Sequence, residues 1–84
     1  MPLIDVIWDL PDDPDGNVQH IAEHGLTPAD VEYALNHPLR RETSRSSGRP
    51  LRFGQTPSGE KIVVVYDEVD DSTIYPVTAY PVED

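Results

Sequence analysis

The chain has 84 residues, which suits one hydrophobic core and no second: size scaling gives roughly 5,000 Å² of surface folded against roughly 13,600 Å² unfolded. It has no cysteine, which excludes a disulfide framework and a thiolate zinc site, and its longest apolar run, Ile62 to Tyr66, is too short to cross a membrane. Sixteen acids against six bases give a net charge of −10, which disfavours nucleic acid and anionic membranes through long-range repulsion.

The average hides an asymmetry. All six bases (Arg40, Arg41, Arg45, Arg49, Arg52 and Lys61) lie between residues 40 and 61, so that window, with Glu42 and Glu60 inside it, carries +4 and the rest carries −14. Met1 to Asp9 shows no basic run ahead of an apolar one, so no signal peptide is expected there and a cytoplasmic location is.

Residues 3–9 are rich in β-branched and aromatic types and predict a strand. A Pro/Asp loop follows. Asp15 is the expected N-cap of a short helix, with Val18, Ile21, Ala22 and Gly25 along one face and Gly25 closing it in a left-handed conformation. The second helix has the clearer start. Thr27 is its N-cap, Pro28 its first residue, and Asp30 completes a capping box, with Leu26 and Val31 at staple spacing. Val31, Ala34 and Leu35 form its inner face, and His37-Pro38 ends it.

After Pro38 the pattern turns to strands. Arg40 to Ser46 alternates weakly, and Ser47-Gly48 is a turn. Residues 50–56 put Leu51 and Phe53 on one face and Arg52 and Gly54 on the other. Pro57-Ser58-Gly59 is a second turn. Lys61 to Asp67 is the strongest strand, suited to a central position. Glu68 to Ser72 reads as an acidic turn, and Thr73 to Val82 as the last strand. Pro76 and Pro81 remove two ladder donors, so that strand should lie at an edge or carry a bulge. The tail Glu83-Asp84 is expected to fray. The order β-α-α-β-β-β-β predicts an α+β fold, an antiparallel sheet with two short helices on one face, in a single domain over residues 1–84.

Several pieces in this order resemble the BrnT family of bacterial toxins. They are Trp8-Asp9 after the first strand, Asn17 and His24-Gly25 in the first helix, the Gly54 strand, the Ser58-Gly59 turn, the run Ile62-Val63-Val64-Val65-Tyr66, and Val77-Thr78-Ala79. The resemblance implies a RelE-like sheet, RNA cleavage, and neutralisation by an antitoxin of a type II toxin–antitoxin system. Two departures accompany it. The family is basic where this chain is acidic, and Tyr80 stands where the family usually has an arginine.

RNA cleavage through a neighbouring 2′-hydroxyl needs cationic donors at the phosphate and groups that move protons. Arginine suits the first role because its fork binds phosphate oxygens in pairs. Arg45, Arg49 and Arg52 are therefore expected to converge on one surface. Arg49, Arg52, Tyr80 and His20 are the candidate catalytic residues, with Arg41, Arg45, Tyr66 and Tyr75 binding substrate. The arginines can equally pair with the protein's own acids or sit solvated on an edge strand. The tyrosines can equally pack the sheet with their hydroxyls at its rim.

His20-Ile21-Ala22-Glu23-His24 matches a zinc-protease lettering, but the helix is too short and no third ligand is at hand, so no metal and no cofactor is expected. Asp12 to Asp15 and Asp67 to Asp71 lack calcium-loop spacing. The expected function is thus a diverged RNA-cleaving toxin with RNA and an antitoxin as partners. The alternative is a non-catalytic protein-binding module on the same fold.

Overall fold

The computed structural model describes residues 4–43, 45 and 48–82. Expectations that touch Leu3, Ser44, Ser46, Ser47 and the tail Glu83-Asp84 lie outside the described residues. The elements are β1 (Asp5–Val6), α1 (Asn17–Ala22), α2 (Pro28–Asn36), β2 (Pro38–Thr43), β3 (Pro50–Gln55), β4 (Lys61–Asp70) and β5 (Thr73–Pro81). They form an α+β fold with one five-stranded sheet in the order β1-β5-β4-β3-β2.

The sheet is mixed, which corrects the all-antiparallel expectation. β2 to β5 form an antiparallel meander, but β1 pairs parallel with β5, Asp5 opposite Thr73 and Val6 opposite Ile74. A parallel pair needs a long crossover, and here the helices and the first three strands of the meander supply it. β1 is also shorter than its β-branched run suggested, because β5 offers it only two partner residues.

Local signals set α2 as expected. The Thr27 hydroxyl accepts from the Asp30 N–H at 3.2 Å, the Asp30 carboxylate accepts from the Thr27 N–H at 3.0 Å, and Pro28 opens the helix. α1 departs from expectation. Its N-cap is Gly16 rather than Asp15, and its buried residues are Asn17 and Ile21, while Ala22 and Gly25 are exposed. The cause is tertiary. The Asn17 side chain donates to the carbonyls of Ile7 and Pro76, both at 3.0 Å, and accepts from the Asp9 N–H at 2.9 Å. A buried amide is stable only with such partners, and these draw Asn17 inward.

Ile21, Leu26, Val31, Ala34 and Leu35 join Ile62, Val64, Tyr66, Ile74 and Ala79 in one core, with Ile4, Val6 and Trp8 packed against it. Gly54 lets α2 sit close to the sheet: a Cβ there would lie 2.6 Å from the Ala34 carbonyl oxygen. Leu51 and Phe53 thus occupy the face away from α2, as expected from alternation, and Arg52 and Gly54 the face toward it. β5 shifts register between Val65/Thr78 and Tyr66/Pro76, which leaves Val77 as an extra residue. That is the bulge its two prolines called for.

β4 runs on to Asp70, so Glu68 belongs to a strand and not to the turn. Asp70 closes the turn itself. Its carboxylate accepts from the Ser72 N–H at 2.9 Å, and this bond, with one from the Thr73 side chain, holds its pKa below the ordinary carboxylate value. No helix among the described residues is long and apolar enough to cross a membrane.

Candidate functional site

β3 and β4 place two candidates together. The Arg52 Nε donates to the Tyr66 hydroxyl at 3.2 Å, and its Nη1 donates to the Leu35 carbonyl at 3.2 Å. Leu35 lies in the last turn of α2, where unpaired carbonyls carry partial negative charge. The guanidinium is therefore fixed between a helix end and a phenol. Its carbon also lies 5.4 Å from the centre of the Tyr66 ring.

Arg41 on β2 is the direct strand partner of Arg52, so both side chains leave the same face of the sheet. Between them and the end of β4 lies an open cleft of about 440 Å³, lined by Arg41, Arg52, Tyr66, Glu42, Glu68 and Asp71 among others. Two arginines, a phenol and carboxylates thus share one concavity. This set can bind an anion and move a proton.

The expected convergence of Arg45, Arg49 and Arg52 does not occur. The Arg49 Nε pairs with the Asp67 carboxylate at 3.0 Å, whereas Arg52 contacts Tyr66. Adjacent residues of a strand point to opposite faces, so Asp67 and Tyr66 hold the two arginines on opposite sides. Arg45 is exposed in the connection between β2 and β3.

Tyr80 pairs with Val63, while Arg52 pairs with Val64. Tyr80 therefore lies on the face away from the cleft, with its ring 5.9 Å from that of His24. His20 is exposed on α1, which packs beside β5 at the other side of the sheet from β2. No group of three or more metal-ligating side chains occurs among the described residues.

Tyr75 is engaged elsewhere. Its hydroxyl donates to the Asp9 carboxylate, which also accepts from the Asn17 N–H at 3.0 Å. These two bonds hold the Asp9 pKa below its ordinary value. The same bond, with burial and the charges of Asp9, Asp13 and Asp67, pushes Tyr75 up. This cluster ties the segment after β1 to α1 and β5.

Glu68 is the residue that sequence reasoning missed. Extending the alternation Val64, Tyr66 by one step would have put it on the cleft face. No family model matches the chain, and no curated protein or solved structure matches it either.

Proposed function

We propose that the chain is a diverged BrnT-type toxin domain of the RelE-like ribonuclease class, acting in the cytoplasm on RNA and neutralised by a cognate antitoxin. The observation that supports this reading is the anchored Arg52, held by Tyr66 and Leu35 beside Arg41 in a cleft that also holds Glu68. In this reading Glu68 takes the proton of a ribose 2′-hydroxyl as its oxygen bonds to phosphorus. Arg41 and Arg52 stabilise the charge that grows on the phosphate oxygens. The bond from phosphorus to the 5′-oxygen breaks, and Tyr66 supplies the proton that the leaving oxygen takes. The products are a 2′,3′-cyclic phosphate and a 5′-hydroxyl end.

One observation favours the second reading, a docking module without catalysis: Glu68 and Asp71 line the same cleft and offset its two arginines. Induced expression in bacteria, with end-group analysis of total RNA, separates the two. The wild type and Arg49→Ala are expected to arrest growth and to leave cyclic phosphate ends, whereas Arg41→Ala and Glu68→Gln are expected to do neither. A folded wild type that leaves growth and RNA intact would end the nuclease reading and favour the docking module.

A further inference from the structure

Among the described residues β2 is an outermost strand of the sheet, with β3 on one side of it and no strand on the other. Leu39 through Thr43 are all exposed there, Leu39 at 57%. The opposite side of the sheet is closed differently. β1 covers only Thr73 and Ile74 of β5, and α1 packs against β5. Unpaired strand edges of this length are templates for a further strand.

The edge carries its own code. Arg40 and Glu42 point to one face and pair with each other at 2.9 Å; Arg41 points to the other. An isologous antiparallel pair of β2 strands must put side chains of the same face opposite one another. Centred on Arg41, that register sets Arg40 against Glu42 of the second copy and Glu42 against its Arg40. Leu39, the extra residue where β2 shifts register between Pro38 and Arg40, lies outside this pairing. Both opposite-charge pairs form at once.

We infer that the chain forms a two-fold dimer through β2 in this register. The acidic residues of β1 and the loop after it lie across the sheet from β2, so this edge keeps the two most acidic ends farthest apart. The centre of the pair sets Arg41 against Arg41 of the second copy, a like-charge contact that weakens the bare dimer. It also extends a row. Arg52 and Arg41 are already strand partners, so the dimer aligns Arg52, Arg41 and their two copies across four strands, about 4.8 Å from one to the next. A chain of phosphates matches such a row, and a bound polyanion would relieve the central repulsion. The dimer stands on the strand edge alone; the use of the row for RNA rests on the function proposed above.

Sedimentation equilibrium of the full chain tests the dimer without any RNA. Wild type is expected to dimerise. Arg40→Glu and Glu42→Arg should each weaken it by about tenfold or more, the factor that about 1.4 kcal/mol produces. Their equimolar mixture should form a heterodimer tighter than either alone, because each variant then faces opposite charges. The double exchange R40E/E42R should restore the wild-type constant. Arg40 also stacks 4.4 Å over the Phe53 ring, so Glu42→Arg, which leaves that contact intact, guards against a folding defect. A monomeric wild type, or a dimer indifferent to both changes, would overturn the pairing. Inorganic tripolyphosphate should tighten the wild-type dimer and have little effect on that of Arg41→Ala; equal behaviour of the two would overturn the arginine row.

Discussion

Replacing Gly54 by alanine tests the contact that seats α2 on the sheet and, through Leu35, holds Arg52. The new Cβ would meet the Ala34 carbonyl oxygen at 2.6 Å, its Cβ at 2.9 Å and its carbonyl carbon at 3.0 Å. Two of these atoms are helix backbone, so no side-chain rotation relieves the clash and α2 must move. Overpacking of this kind costs about 1–3 kcal/mol. Alanine recovers up to about 1 kcal/mol of it by restricting the unfolded chain. A net loss of about 1–2 kcal/mol lowers Tm by roughly 4–16 °C in a domain of this size.

Thermal and urea unfolding followed by circular dichroism measure the loss. The double variant Gly54→Ala/Ala34→Gly should recover little of it, because the nearest atom is the carbonyl oxygen, which Ala34→Gly leaves in place. Wild-type stability in the single variant would refute the close approach of α2. Full recovery in the double variant would refute the claim that backbone sets the cost.

Two further outcomes follow from the cluster beside β1. Asn17→Ala leaves the buried carbonyl of Pro76 and the part-buried carbonyl of Ile7 without their side-chain donor, and a loss of about 1–3 kcal/mol in urea unfolding is expected, most of it from Pro76. The Asp9–Tyr75 bond makes stability depend on pH in two windows. Asp9 has a lowered pKa in the fold, so its contribution is present above the ordinary carboxylate range and is lost as pH falls through the folded value. Tyr75 has a raised pKa, so its contribution is present below its ordinary value of 10.0 and is lost as pH rises through the folded one. Tyr75→Phe should flatten the Tm profile at both ends, and an unchanged acid limb would contradict the bond.

Much of the fold is legible because it is local. The Thr27-Pro28-Asp30 start of α2 needs only neighbouring residues, and alternation alone separates Leu51 and Phe53 from Arg52 and Gly54. What escapes the sequence is settled between distant segments. Asn17 looks like a surface helix residue until Ile7 and Pro76 are placed beside it. The parallel pairing of β1 leaves no local mark, because its partner lies at the other end of the chain. The site falls between these cases. Arg41, Arg52 and Tyr66 were legible as candidates by type, and their shared face follows from strand parity. The same parity separates Arg49 from Arg52, and counting it strictly through the Pro50 strand would have shown so. Tyr75 as a clamp on Asp9 was beyond reach, since it requires the loop after β1 to fold back on β5.

The parallel pair of β1 with β5 also orders events in time. Asp5 finds its partner Thr73 only after about 70 further residues have been made, which takes roughly 3–14 s at the usual pace of synthesis. Through that interval Ile4, Val6 and Trp8 have no sheet edge to dock on. The helices and the meander, whose contacts are nearer in sequence, can assemble as soon as they emerge. The β1 segment is therefore placed only after β5 has been made, and until then the nascent chain carries a short apolar stretch open to chaperones.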